Sequence, residues 1–180
     1  MQMPGHNNQT NYEQIRVLSK IAYSEDYCNQ IISKLDGMLD YKEQHSEDGE
    51  VFRSVYIKDI DISDIDRLRD EVLSANFGYY NFNLNAMKSD CFFARYGEGM
   101  HYQALHMDCI AGEHQRKLTF TLLLNDNFTG GDFQLLDGSI IEKKKGKLLI
   151  LPSFLAHKVT PVTSGTRYAI FGWFYGPNFI

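Results

Sequence analysis

The chain has 180 residues, a length that suits one domain with a hydrophobic core, and its 43% hydrophobic and 23% charged residues are ordinary for a globular protein. A formal net charge of −5 argues against general nucleic-acid binding, because non-specific affinity for phosphates requires clustered Lys and Arg. The three cysteines lack metal-type or redox-type spacing, and the sequence has neither a signal peptide nor a membrane span, so we expect a cytoplasmic protein.

The N-terminal third of the chain predicts a mobile segment followed by helices. Residues 1–12 are polar and are expected to be mobile. Ser24 is a candidate N-cap for a helix over residues 25–39, and Ser63 is a candidate N-cap for a second helix that follows it. We therefore interpret residues 13–76 as a helical support region.

From Phe77 onward the chain becomes a series of short apolar or alternating runs separated by turn residues. The segment "LDGSI" predicts a hairpin with an Asp-Gly turn, and "TSGT" predicts a turn before the last apolar run. The predicted strands cover residues 78–84, 90–96, 101–107, 116–124, 132–136, 139–143, 147–151, 155–160 and 167–175. This rhythm predicts a mostly β single domain over residues 1–180, with a sandwich, barrel or jelly-roll core over residues 77–176.

Within "QALHMDC" a histidine and an aspartate stand two residues apart. Side chains alternate faces along a strand, so His106 and Asp108 should share one face with their Cα atoms roughly 6.6 Å apart. His-x-Asp alone is a weak signal, because a lone histidine is more often a hydrogen-bonded structural residue. His157 and Arg167 strengthen it: a turn centred near Val162 would place them directly opposite each other on neighbouring strands, and cross-strand pairs share a face.

These four polar side chains on apolar strands need partners. Two histidines and one carboxylate occupy one face of an octahedral ion and leave the opposite positions open, which is the arrangement of non-haem Fe(II) oxygenases. An arginine close to such an ion offers a rigid fork that matches the carboxylate of a dicarboxylic co-substrate. We expect His101 and His114 to make solvent or loop contacts instead.

The succession "RYGEGMHYQALHMD", "RKLTFTLLLND", "TGGDFQLLDG" and "GKLLILPSFLAHKVTPVTSGTRYAIFGWFY" resembles the 2-oxoglutarate- and Fe(II)-dependent oxygenase superfamily, in its prolyl 4-hydroxylase-like branch. The resemblance runs from about residue 91 to residue 176, and the small size of the chain resembles compact bacterial and phage members. It implies a double-stranded β-helix of the jelly-roll (cupin-like) type behind N-terminal helices. The expected cytoplasmic location would be the host cytoplasm if the protein is of phage origin.

The resemblance implies roles for individual residues. His106, Asp108 and His157 would be the catalytic Fe(II) ligands, and Arg167 would bind the distal carboxylate of 2-oxoglutarate. Tyr96 and Thr119 would complete the cofactor-binding set. Tyr102, Arg116 and Trp173 match positions near the substrate.

Two positions depart from the family pattern. Ala169 stands where many relatives carry a serine that contacts 2-oxoglutarate, and Leu123 stands where some animal prolyl hydroxylases carry a second co-substrate tyrosine. Both departures bear on how 2-oxoglutarate is bound and leave the proposed metal ligands unaffected.

The implied activity is hydroxylation of a C–H bond with release of succinate and CO2, using Fe(II), 2-oxoglutarate and O2, with ascorbate as a reductant. A peptidyl residue such as proline is the leading substrate. The alternatives are the same chemistry on a small molecule such as a free amino acid, and a non-catalytic jelly-roll binding module. Nucleic-acid dealkylation is disfavoured by the acidic balance of the chain, and no membrane partner is expected.

Overall fold

The computed structural model describes residues 17–110 and 112–178. The predicted mobility of residues 1–12 falls outside this range. Two α-helices are described, α1 (Glu25–Leu35) and α2 (Leu68–Ala75), with short 3-10 helices at Asp36–Met38 and Ile62–Asp64. The described strands are β1 (Leu18–Ile21), β2 (Asp40–His45), β3 (Val51–Asp59), β4 (Asn85–Tyr96), β5 (Tyr102–His106), β6 (Arg116–Leu123), β7 (Thr129–Gly130), β8 (Phe133–Leu135), β9 (Lys147–Pro152), β10 (His157–Val159), β11 (Val162–Ser164) and β12 (Arg167–Tyr175).

The strands form one large antiparallel sheet that curls into a half-barrel, in the order β1-β9-β6-β12-β4-β3-β5-β10-β8. β2 pairs with β3 outside this path, and β7 pairs with β11 as a separate two-stranded sheet. β3 pairs with β4 through residues 56–59 and with β5 through Arg53. Strand β3 therefore connects the half of the sheet that carries β12 to the half that carries β10.

Side-chain alternation along the central strands separates the core from a cavity. On β6, Leu118, Phe120 and Leu122 belong to the main core cluster with residues of α1 and α2, whereas Thr119 and Thr121 line the cavity. On β12, Ile170 and Phe174 join the same core. In the middle of these strands the odd-numbered residues Thr119, Thr121, Phe171 and Trp173 therefore line the cavity, whereas most of the even-numbered ones supply the packing.

The first predicted helix is confirmed, including its cap. The Ser24 hydroxyl accepts a hydrogen bond from the Tyr27 N–H, and Cys28, Ile31 and Leu35 form the buried stripe. The α-helix ends at Leu35 and continues only as a 3-10 turn to Met38, slightly short of the predicted residue 39.

The second predicted helix begins later than the sequence indicates. Ser63 lies in a 3-10 helix whose N-cap is Asp61, and α2 begins only at Leu68. Arg67 has a φ of 58°, which is a left-handed conformation. The 3-10 helix at Ile62–Asp64 and α2 are therefore separate and do not form one continuous helix. The assignment of Ser63 as the N-cap was therefore wrong.

The predicted strand over residues 78–84 is also wrong. Residues Asn76–Tyr80 form a π-helix, and β4 begins at Asn85. The Asn76 side chain exchanges two hydrogen bonds with the Phe82 backbone, at 2.9 and 3.0 Å, and the Tyr80 hydroxyl donates to the Ile150 carbonyl at 2.8 Å. These tertiary contacts outweigh the β-propensity of the aromatic residues in this segment.

The region over residues 13–76, predicted to be helical, also contains β1, β2 and β3. Each residue of β2 is exposed, so this edge strand shows no apolar alternation from which it could be recognised. The predicted strand over residues 139–143 is reduced to a single bridge between Gln134 and Ile140. The other predicted strands from residue 90 onward coincide with β4, β5, β6, β8, β9, β10 and β12.

The predicted pairing of His157 with Arg167 is wrong. β10 pairs with β5 and β8, so His157 lies opposite His106, whereas β12 pairs with β4 and places Arg167 opposite Tyr96. The segment between them does not form a hairpin, because β11 lies between β10 and β12 in the chain and pairs with β7.

Within residues 17–110 and 112–178, no helix has the length and apolar character that a membrane crossing requires.

Candidate metal centre and active site

Three of the predicted residues form a compact group that could hold a metal ion, called the metal-binding group below. One ligand atom from each of His106, Asp108 and His157 lies within 4.8 Å of the others. The Asp108 carboxylate is 3.6 Å from Nε2 of His106 and 3.5 Å from Nε2 of His157. Because β5 ends at His106, Asp108 lies just beyond the strand, but its carboxylate still projects beside the imidazole, as the sequence spacing predicts.

The same local contact orients both imidazoles. Nδ1 of His106 lies 2.8 Å from the carbonyl oxygen of Ala104, and Nδ1 of His157 lies 2.9 Å from that of Leu155. A carbonyl oxygen can only accept, so Nδ1 carries the proton in each ring and Nε2 keeps its lone pair for a metal. In both cases the carbonyl belongs to the residue two positions earlier in the chain.

Asp108 is held by its backbone and by its carboxylate. Its N–H donates to the Ser153 carbonyl at 2.8 Å, and Oδ2 accepts from the Thr119 hydroxyl at 2.6 Å. The Thr119 hydroxyl also lies 3.0 Å from the Ser153 hydroxyl. Thr119, expected among the residues that bind the co-substrate, therefore contacts the metal-binding carboxylate.

An aromatic ring stacks on each histidine. The Tyr102 ring lies 3.8 Å from the His106 ring, and the Phe133 ring lies 4.9 Å from the His157 ring, both nearly parallel. Burial, together with the neighbouring His157, lowers the pKa of His106 to about 4. The imidazole is therefore neutral at physiological pH, which is the form that binds metal.

The metal-binding group lies in a cavity of about 370 Å³. All nine residues singled out from the sequence line it: Tyr96, Tyr102, His106, Asp108, Arg116, Thr119, His157, Arg167 and Trp173. The structure therefore brings together residues from β4, β5, β6, β10 and β12 that are distant in the sequence.

Arg167 lies at one end of this cavity and is only 4% exposed. Its guanidinium lies 5.2 Å from the Tyr96 ring centre, and burial lowers the pKa of this arginine. Among the described residues, its Nε has no hydrogen-bond partner. A buried cation with a free N–H is suited to a ligand carboxylate, which would supply both the charge and the acceptor.

Arg116 and Trp173 lie together at another part of the cavity. The Arg116 guanidinium lies 3.7 Å from the Trp173 ring centre. It is also positioned by Glu113 at 3.4 Å and by the carbonyl of Asp108 at 3.5 Å. This arginine is therefore neutralised and fixed beside the metal-binding aspartate.

Three buried side-chain N–H groups in the described part of the chain have no hydrogen-bond partner, and all three residues line this cavity. They are Nε of Arg53, Nε of Arg167 and Nε1 of Trp173. An unsatisfied buried donor costs about 1–3 kcal/mol, so such groups are uncommon unless a ligand satisfies them. Their concentration here marks the cavity as a ligand site.

Sequence reasoning missed several residues of the site. Arg53 lies in the unrecognised strand β3, and Phe133 and Ser153 carry no local pattern that links them to a metal. Only their contacts with Tyr102, His157 and Thr119 identify them. His101 and His114 are not part of the metal-binding group found among the described residues.

Comparison with known proteins agrees with this geometry. Residues 91–175 match the sequence profile of the 2OG-Fe(II) oxygenase superfamily, and they include the three metal-binding residues and Arg167. Over that segment, which is slightly less than half of the chain, the protein is similar to members of this superfamily. The similarity indicates the cofactors of that superfamily, which are Fe(II), 2-oxoglutarate and O2.

The most similar sequences include two bacterial PKHD-type hydroxylases. The relative from Maricaulis maris is 32% identical over 118 residues, which are 61% of this chain and 53% of that protein. The relative from Acaryochloris marina is 38% identical over 86 residues, which are 45% of this chain and 39% of that protein. The chain therefore spans about half or less of the length of these relatives.

Solved structures show the same fold. A prolyl-4-hydroxylase from Pseudomonas putida aligns with a TM-score of 0.68 at 22% identity, covering 90% of this chain and 93% of that one. A prolyl hydroxylase from Trichoplax adhaerens, solved with a hypoxia-inducible-factor peptide fragment, aligns with a TM-score of 0.69 at 21% identity, covering 93% and 86% of the two chains. These neighbours confirm the predicted double-stranded β-helix.

The residues present fit the cofactors of the superfamily. Two Nε2 lone pairs and one carboxylate match the donor set of a non-haem Fe(II) site with open positions. The unsatisfied Nε of buried Arg167 matches the free carboxylate of 2-oxoglutarate. Neither Ala169 nor Leu123 lines this cavity, although Leu123 lies in an adjacent pocket that Arg167 also lines.

Proposed function

We propose that the protein is an Fe(II)- and 2-oxoglutarate-dependent dioxygenase that hydroxylates a C–H bond of a peptidyl residue such as proline and releases succinate and CO2. The observation that carries this proposal is the gathering of His106, Asp108 and His157 within 4.8 Å, in the same cavity as the unsatisfied Arg167. When bound, Fe(II) with 2-oxoglutarate would supply the oxidising chemistry.

The residues of the chain would bind, orient and shield. His106, Asp108 and His157 would hold Fe(II), while the carbonyls of Ala104 and Leu155 keep both Nε2 atoms directed at it. Arg167 would bind the distal carboxylate of 2-oxoglutarate, and Tyr96 would border it. Tyr102 and Phe133 stack on the two imidazoles and would reduce the contact of water with a bound metal.

A peptide substrate is favoured by the relatives. Several structural neighbours are prolyl hydroxylases, and one was solved with a peptide fragment. Arg116 and Trp173 would contact this substrate, because they line the cavity next to Asp108 and the Trp173 Nε1 lacks a partner among the described residues. Tyr102 would contribute to the same contact surface.

We further propose that residues 17–178 act as one catalytic unit in the cytoplasm. Strands β2, β3, β4, β5, β6, β8, β10 and β12 all contribute residues to the cavity, which supports a single unit. Cys28, Cys91 and Cys109 are buried free thiols, as expected for a reducing compartment.

The test is succinate release from 2-oxoglutarate by purified protein with Fe(II) and ascorbate, with and without proline-containing peptides. We expect release by the wild type and loss of at least about 100-fold in His106→Ala, because removing a ligand abolishes productive metal binding. His101→Ala is the matched control, since His101 lies in the same segment outside the metal-binding group. No release by the wild type, or equal release by His106→Ala, would overturn the proposal.

A further inference from the structure

Arg53 is a cation in the cavity that no acidic residue neutralises. It lies on β3, its Nε is buried without a hydrogen-bond partner, and no ion pair among the described residues involves it. Its one described hydrogen bond is a long contact of 3.4 Å from Nη1 to the Gln44 side chain. The guanidinium is therefore free to bind an anion.

The acids of the cavity are already engaged. Asp108 faces the two histidines and accepts from Thr119, and Glu113 pairs with Arg116 at 3.4 Å. These are the acidic residues that line the cavity in the described part of the chain. With Fe(II) bound by Asp108 and 2-oxoglutarate bound by Arg167, Arg53 would still lack a counter-charge.

The position of Arg53 distinguishes it from the co-substrate end of the cavity. Its guanidinium lies 5.1 Å from the Tyr102 ring centre and 5.8 Å from that of Phe171. Phe171 is four residues along β12 from Arg167, roughly 13 Å in an extended strand. Phe171 in turn packs against Trp173 with ring centres 5.6 Å apart.

Arg53 is also close to the metal-binding group. The Tyr102 ring beneath it stacks on His106 at 3.8 Å, so the guanidinium lies within the reach of two or three extended peptide residues of that ligand. An anionic group bound by Arg53 would therefore belong to the same substrate molecule that presents its C–H bond to the metal.

We propose that Arg53 binds a carboxylate of the substrate, so that the preferred substrate is a peptide with a carboxylate within about two residues of the hydroxylated position. This inference rests on the proposed function and specifies its substrate class. The carboxylate can belong to an Asp or Glu side chain or to the C-terminus of the peptide. In either case the fork of Arg53 would donate hydrogen bonds to the carboxylate, and the neutral Nε1–H of Trp173 would remain to donate to a carbonyl oxygen.

The experiment compares kcat/KM for blocked peptides in which one residue beside a central proline is Asp, Asn or Lys, with hydroxylation followed by mass spectrometry. A second set ends in an unblocked or amidated C-terminus next to proline, which distinguishes a terminal carboxylate from a side-chain carboxylate. We expect the wild type to favour the carboxylate-bearing member of at least one set by about 10- to 100-fold, as charge-assisted contacts of this kind do.

Three variants test whether Arg53 is responsible. Arg53→Gln should reduce the preference to near unity, Arg53→Glu should shift it towards the Lys peptide, and Arg53→Lys should weaken it because the planar fork is lost. Lys58→Glu is the matched control, because Lys58 is an exposed cation on the same strand, and it should keep the wild-type preference. The preference is a ratio measured within each variant, so partial loss of folded protein does not alter it.

The inference is overturned by a wild type that hydroxylates without charge preference, by a preference that survives in Arg53→Gln, or by no hydroxylation of any peptide in the two sets. A rise in KM for 2-oxoglutarate in Arg53→Gln with unchanged peptide preference would assign Arg53 to the co-substrate instead and also overturn it. In each case His106-dependent succinate release would continue. Loss of that release in the wild type is the separate failure of the proposed function.

Discussion

His106 and His157 each donate Nδ1–H to the carbonyl two residues earlier, so the local backbone determines which nitrogen faces the cavity. The third ligand is held differently, because the Thr119 hydroxyl donates to Asp108 Oδ2. A carboxylate without this donor would be free to rotate away from the position between the two imidazoles. We therefore expect Thr119 to position Asp108 for metal binding without being a ligand itself.

Thr119→Val tests this role. The side chain keeps its shape but loses the hydrogen bond to Asp108, so we expect metal affinity to fall by about 10- to 100-fold, as measured by titration with Mn(II) in the absence of O2. Thr121→Val is the control, since Thr121 lines the same cavity from the same strand. Equal losses in the two variants, or no loss in Thr119→Val, would contradict the role assigned to Thr119.

The metal-binding residues could be predicted from the sequence because few residue types bind Fe(II) and because their order along the chain is informative. The contacts around them could not. Nothing in the local pattern near Arg53 links it to Tyr102, and the partner of Thr119 is known only once β6 and the loop after β5 are adjacent. Contacts between distant segments depend on the three-dimensional fold and not on the spacing of residues along the sequence.

Strands β4, β6, β9 and β12 were predictable because each carries a long apolar or alternating run. β2 and β3 were not, because β2 is exposed throughout and resembles a charged loop. The expected hairpin between β10 and β12 failed for a related reason: sequence proximity suggested a pair, whereas β11 leaves to pair with β7. Strand partners in a jelly roll are decided by the curling of the whole sheet.

β12 and β4 approach closely at Gly172. A Cβ built there would lie 2.0 Å from the Asp90 carbonyl oxygen and 2.7 Å from the Phe120 ring. We expect Gly172→Ala to lower the free energy of unfolding by about 1–3 kcal/mol, because the backbone must move to make room. Urea denaturation measures this change.

Gly37→Ala is the matched control, because a Cβ at Gly37 would meet no atom within 4 Å. Its free energy of unfolding should stay within about 0.5 kcal/mol of the wild type. A Gly172→Ala protein as stable as Gly37→Ala would mean that the two strands can separate without cost, contrary to the packing described.

The metal-binding group joins β5 and the loop after it to β10, close to the β8 end of the sheet. A metal bound there should stabilise the folded state only, since the unfolded chain has no such site. At a free Mn(II) concentration 100 times its dissociation constant, we expect about 2.7 kcal/mol of stabilisation. The melting temperature should rise by about 5–10 °C in a thermal unfolding experiment.

Asp108→Ala serves as the reference, because it removes the ligand that lies between the two histidines. Its melting temperature should not respond to Mn(II), and a chelator should remove the effect in the wild type. The same rise in Asp108→Ala would show that the ion acts at another place.

His106 and His157 are direct partners in the ladder between β5 and β10, although a long stretch of chain separates them. Their distance is therefore set by hydrogen bonds between two strands and does not depend on the length of what connects them. Loops such as residues 112–115 and 136–139 can be lengthened, shortened or exchanged during evolution while the metal-binding group stays in register. Changes in the loops can thus alter which substrate is bound while the three metal-binding side chains keep their relative positions.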